Sequence, residues 1–103
     1  MLTLTQFGNV LKKNFPLDRP VYIRTMKMPY SNKTRTDRDY GDANEYDTHF
    51  LIRINKDSEL VAQKDTLMHE YAHCMAGWDD AETAHSKEWG VAYSDVYRLM
   101  VDN

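Results

Sequence analysis

The stretch Thr66–Gly90, TLMHEYAHCMAGWDDAETAHSKEWG, holds three of the four histidines in a chain of 103 residues. His69 and His73 are four residues apart. On a helix, that spacing projects both imidazoles from one face, one turn apart, so that they can reach a single ion. Glu70 follows His69 by about 100° around the helix axis. There it is too far round to compete easily for the metal, yet close enough for its carboxylate to hold a water beside it, the general-base position of an HExxH site.

Two histidines leave a catalytic zinc incomplete, because such a site uses three protein ligands and keeps one position open. Gly77 can turn the chain back, and the candidates beyond it are Asp79, Asp80, Glu82, His85 and Glu88. His85 is favoured, since it opens a new helix where a short return loop can aim it, and imidazole suits zinc. Asp79 is the rival, standing six residues after His73, where metzincins take their third ligand. Their turn needs glycine three residues after that histidine, however, and Ala76 occupies the place. Glu88 would serve on the gluzincin plan, with a carboxylate from the second helix.

Outward from this stretch, the pattern is that of one α+β domain spanning residues 1 to 103. Leu4, Phe7, Val10 and Leu11 share a helical face, with Thr3 or Thr5 as N-cap and Pro16 as terminator. VYIRTMKM, Val21–Met28, reads as a strand closed by Pro29, and HFLIRIN, His49–Asn55, reads as another. The polar segment between them offers turns at Gly41-Asp42 and Asn44, predicting a hairpin beside the first strand. Asp57 or Ser58 can cap the helix that carries His69, Glu70 and His73. Its buried face is expected to include Val61, Leu67 or Met68, Tyr71, Ala72 and Met75. A last helix is expected from about Thr83 or His85 to Met100, with Trp89, Ala92, Tyr93, Val96 and Met100 at helical spacing.

Composition narrows the function classes. The chain is 42% hydrophobic and 28% charged, and no apolar run approaches the ~18 residues of a membrane span. Its start lacks the features of a signal peptide. One cysteine, Cys74, cannot form an internal disulfide. The expectation is a cytoplasmic protein without a membrane partner, stabilised by packing and by a metal. A net charge of −3 argues against nucleic-acid binding over the whole surface, although Arg24, Lys27, Lys33, Arg35 and Arg38 form a local basic stretch that could associate with nucleic acid.

HEYAH followed by HSKEW resembles the SprT-like zinc metallopeptidases, which carry HExxH and then a third histidine in an H-G-x-x-aromatic motif opening the next helix. The resemblance implies a minimal zincin-like fold with an N-terminal helix, a small three-stranded sheet, an HExxH zinc helix and a C-terminal helix. It implies Zn2+ held by His69, His73 and His85, Glu70 as catalytic acid/base, and Trp89 as the aromatic packing the last helix onto the zinc helix. Ser86 stands where that family has glycine, and the interval from His73 to His85 is shorter than in typical members. The expected activity is hydrolysis of a protein or peptide, with zinc lowering the pKa of its water to roughly 7. Tyr93 or Tyr97 is a possible oxyanion donor, Asp79, Asp80, Glu82 and Asp95 are acceptors for the ligand histidines, and HFLIRIN is the expected cleft-side edge strand. The alternatives are a non-catalytic module closed by structural zinc, and a small nucleic-acid-associated protein using residues 24 to 38.

Overall fold

The computed structural model describes residues 2–28, 40–77 and 87–101. Three helices and a three-stranded mixed sheet form an α+β domain: α1 (Leu4–Asn14), β1 (Val21–Met26), β2 (Gly41–Glu45), β3 (Phe50–Asn55), α2 (Leu60–Ala76) and α3 (Lys87–Met100). Among the described residues no helix is long and apolar enough to cross a membrane.

Thr3 is the residue that caps α1. Its hydroxyl accepts from the Gln6 amide at 3.1 Å, and the Gln6 side chain accepts from the Thr3 amide at 2.9 Å, a reciprocal capping box. Phe7 and Leu11 turn the buried face of this helix toward the sheet and α2.

The sheet order is β1-β3-β2, with β1 parallel and β2 antiparallel to β3. HFLIRIN is therefore the central strand and not an edge, which corrects the expectation. Burial explains the position, because Phe50, Ile52 and Ile54 supply the apolar face at the middle of the core. The hairpin does lie beside β1, but its bend falls at Asp47 and Thr48, closed by the Tyr46 amide donating to the His49 carbonyl at 2.9 Å.

Gly41, Asp42 and Asn44, expected in turns, are paired strand residues of β2. GDANE has little β-propensity of its own, so tertiary contacts select the strand. Asp42 faces its register partner Arg53 and takes a forked guanidinium contact, Nε to Oδ1 at 2.8 Å and Nη2 to Oδ2. Asn44 donates to the Leu51 carbonyl at 3.4 Å, and Ala43 packs against the core.

Neither Asp57 nor Ser58 caps α2. The N-cap is Glu59, without a side-chain cap bond. Asn55 organises the turn before the helix: its side chain accepts from the Asp57 backbone amide at 3.0 Å, and its carbonyl accepts from the Ser58 hydroxyl at 2.7 Å. Gln63 then reaches back to the Ser58 carbonyl at 3.1 Å. Leu67, Met68, Tyr71, Ala72 and Cys74 form the buried face of α2, Met75 lies at its margin, and Val61, expected inside, is 76% exposed. Tyr71 is wholly buried and donates its hydroxyl to the Phe15 carbonyl at 2.7 Å, fastening the end of α1 to the middle of α2. Gly77 ends the helix at φ +83°, its amide donating to the His73 carbonyl at 2.9 Å.

Gly41 is fixed by a close approach. A Cβ there would run into the Arg53 backbone oxygen and would stand 2.7 Å from the Thr66 methyl group. Gly41→Ala is therefore expected to destabilise the domain by about 1–3 kcal/mol through overpacking. Gly90→Ala, where a Cβ meets nothing within 4 Å, is expected to be neutral or to stabilise α3 by about 0.5 kcal/mol. Urea unfolding of both variants checks the contrast, and equal effects would remove the close-approach account.

Candidate metal centre

Helical periodicity gives α2 two working directions besides its buried face. His69 and His73 turn toward α3, and Glu70 turns toward β2. The two imidazole centroids are 5.1 Å apart with the rings inclined by 65°. One ligand atom from each of His69, Glu70 and His73 lies within 4.8 Å of the others, with His69 and Glu70 partly buried. Two imidazoles and a carboxylate at this separation fit the chemistry of a zinc site.

The wall facing the histidines is aromatic. The Trp89 ring lies 4.9 Å from His69 and 5.5 Å from His73, and its indole N–H donates to the His69 carbonyl at 3.2 Å. Tyr93 stacks on Trp89 at 5.1 Å, and its ring is 6.3 Å from His69. The expected packing of the last helix onto the histidine helix through Trp89 is thus present. These rings limit the positions the imidazoles can take on the α3 side.

Tyr93 donates its hydroxyl to Asp65 Oδ1 at 2.9 Å. Burial first, and then this bond to a carboxylate, push its pKa up to about 12, so it stays a proton-bearing donor committed to Asp65. Tyr97 is 43% exposed and packs 6.2 Å from Tyr93.

Glu70 lies in a different environment. Burial, reinforced by the negative charge of Asp42 on β2, pushes its pKa up to about 7. It borders a cavity of about 450 Å³ together with Tyr40, Gly41, Ala62, Asp65, Thr66 and His69. A carboxylate that holds its proton near neutrality is suited to taking up and returning a proton.

His85, Asp79, Asp80 and Glu82 lie outside the described residues, as do Lys33, Arg35 and Arg38. Glu88 and Asp95 are exposed on α3, and Arg24 and Lys27 are exposed at β1 and just beyond it. Cys74 points into the core, where burial first and Glu70 next push its thiol up to about 12, in keeping with a small buried side chain. His49 sits between Tyr22 and Tyr46, with its Nδ1 2.8 Å from the Thr48 hydroxyl. Asp65, Tyr40 and Gly41 help to complete the cavity without standing out in the sequence. Asp65 does carry one signal, its place four residues before His69 on the same helical face.

Compared with known proteins, the chain matches no protein-family model, no curated protein and no solved structure.

Glu70 also makes stability depend on pH. The folded protein keeps its proton up to about pH 7, whereas the unfolded chain releases it near the ordinary value of 4.5. Rising pH between these values therefore favours unfolding. Metal-free Glu70→Gln protein is expected to exceed the metal-free parent in stability by about 1–3 kcal/mol above pH 7. The difference should shrink toward zero near pH 4. Urea unfolding at pH 4, 6 and 8 checks this, and a difference independent of pH would contradict it.

Proposed function

We propose that this chain is a zinc-dependent endopeptidase of the SprT-like kind, with His69, His73 and His85 as ligands and Glu70 as general base. The observation that carries this reading is the convergence of His69, Glu70 and His73 within 4.8 Å beside an open cavity. The HSKEW segment supports His85 as the third ligand, on the strength of its resemblance to the family motif. Zinc, when bound, supplies Lewis acidity toward the peptide carbonyl and the attacking water.

The protein's own groups divide the remaining work. Glu70 takes the proton of the attacking water at a carboxylate oxygen and returns it to the leaving amine nitrogen. Its partly buried position beside Asp42 raises its affinity for that proton. The Trp89 and Tyr93 rings hold the histidines from the α3 side.

The substrate backbone is assigned to β2. This strand pairs with β3 on one side, and among the described residues no strand pairs with its other side. Its first residue, Gly41, also lines the cavity with Glu70. An extended peptide adding to the outer edge of β2 by main-chain pairing would pass over Glu70 and His69.

A second reading has one observation in its favour: the Glu70 carboxylate is itself within ligand distance of both histidines. With His85, it would close a four-ligand structural site.

Elemental analysis and a proteolysis assay separate the two. For the peptidase, zinc is expected near one per chain, lost or strongly weakened in His69→Ala, His73→Ala and His85→Ala. Glu70→Gln should keep its zinc while cleavage of an unfolded protein substrate falls by a factor of about 100 or more. Zinc lost with Glu70→Gln and no cleavage by the parent would favour the closed site. No zinc after reconstitution would remove both readings.

A further inference from the structure

We infer that the cavity between β2 and α2 receives a basic side chain, lysine or arginine, from the peptide, and that Asp65 is the specificity-determining residue. This rests on the peptidase reading for its setting, but the recognition chemistry is carried by the cavity itself.

Among the described residues, the lining contains two carboxylates, Asp65 and Glu70, and no lysine or arginine. Glu70 is engaged in the proposed chemistry, so Asp65 is the anion left for recognition. Its carboxylate is oriented across the helix interface, because Tyr93 reaches over from α3 and donates to Oδ1. Asp65 is exposed at the cavity's edge, so its second oxygen, Oδ2, is accessible to accept from a cation. A carboxylate held in place gives more selectivity than a freely rotating one, since less side-chain entropy is lost when the ion pair forms.

The remaining lining matches the rest of such a side chain. Tyr40 and Ala62 offer apolar surface to a methylene stem, which lysine and arginine bury while keeping the charged head near a polar partner. Thr66 and Gly41 form the wall nearest β2, where the peptide backbone would run. Gly41 has no side chain to fill the entrance, and its place against Thr66 leaves no room for one. Asp65 stands one helical turn before His69, so the basic residue would lie beside the reacting bond and not on it.

The test measures binding apart from cleavage. Zinc-loaded Glu70→Gln protein would be titrated, by NMR, with blocked pentapeptides of glycine and serine carrying one central lysine, norleucine or glutamate. The lysine peptide is expected to bind about three- to tenfold more tightly than the norleucine peptide, shifting the amides of Ala62, Asp65 and Thr66. A further Asp65→Asn substitution should erase that preference, and Asp65→Lys should turn it toward glutamate. Equal affinity for lysine and norleucine, a lysine preference that survives Asp65→Asn, or shifts confined to other surfaces would overturn the inference. Cleavage of a mixed peptide library by the zinc-loaded parent distinguishes this failure from failure of the peptidase reading. Cleavage indifferent to basic residues overturns the pocket assignment alone, whereas Asp65-dependent binding without cleavage overturns the peptidase reading alone.

Discussion

Helix α2 has to satisfy three environments with one periodicity. Leu67, Tyr71 and Cys74 must enter the core, His69 and His73 must meet α3, and Glu70 must meet β2. Successive residues on a helix are rotated by about 100°, so 69, 70 and 71 necessarily point in three directions. That rotation sets the imidazoles toward α3 and the carboxylate toward β2, while their ligand atoms still come within 4.8 Å of one another, without any special backbone geometry. The core then fixes the helix by burial, and the polar groups are positioned as a consequence. Tyr71 shows the coupling directly, because one wholly buried side chain follows Glu70 and also ties α1 to the helix through the Phe15 carbonyl.

The elements that stand out in the sequence are those whose stability is local or whose apolar pattern is strong. The threonine cap of α1, the β-branched start of β1, the Phe50–Ile54 alternation and the Gly77 stop all carry their own physical signal. The same holds for His69, Glu70 and His73, whose spacing alone puts them together once the helix is granted. What the sequence hides depends on partners distant along the chain. GDANE becomes a strand because Arg53 and Leu51 receive its side chains, and β3 becomes central because β2 folds back along its other side. Gly41 resembles a turn residue, yet its lack of a side chain serves the approach of β2 to Thr66.

Electrostatics links the two sides of the cavity. Asp42 uses its carboxylate to hold Arg53, and its residual charge makes ionisation of Glu70 harder. Removing the charge of Asp42 would thus act on Glu70 from another element, through the same strand that walls the cavity. Tyr93 does the corresponding work on the α3 side, where its bond to Asp65 keeps a carboxylate in place and keeps the phenol protonated.

Among the described residues β2 pairs with a strand on one side only, and this has a consequence for dynamics. A short polar strand that lies against α2 but has one described strand partner belongs to the segments that open at lower free-energy cost than the core built on β3 and α2. Each opening would hydrate Glu70 and separate it from Asp42, returning its carboxyl toward ordinary behaviour for the lifetime of the open form. The proton affinity of Glu70 is then an average over closed and open populations, weighted by how firmly the Asp42–Arg53 fork holds β2 shut. Amide hydrogen exchange in Gly41–Glu45 would therefore report on the same equilibrium that sets the basicity of a side chain on another element.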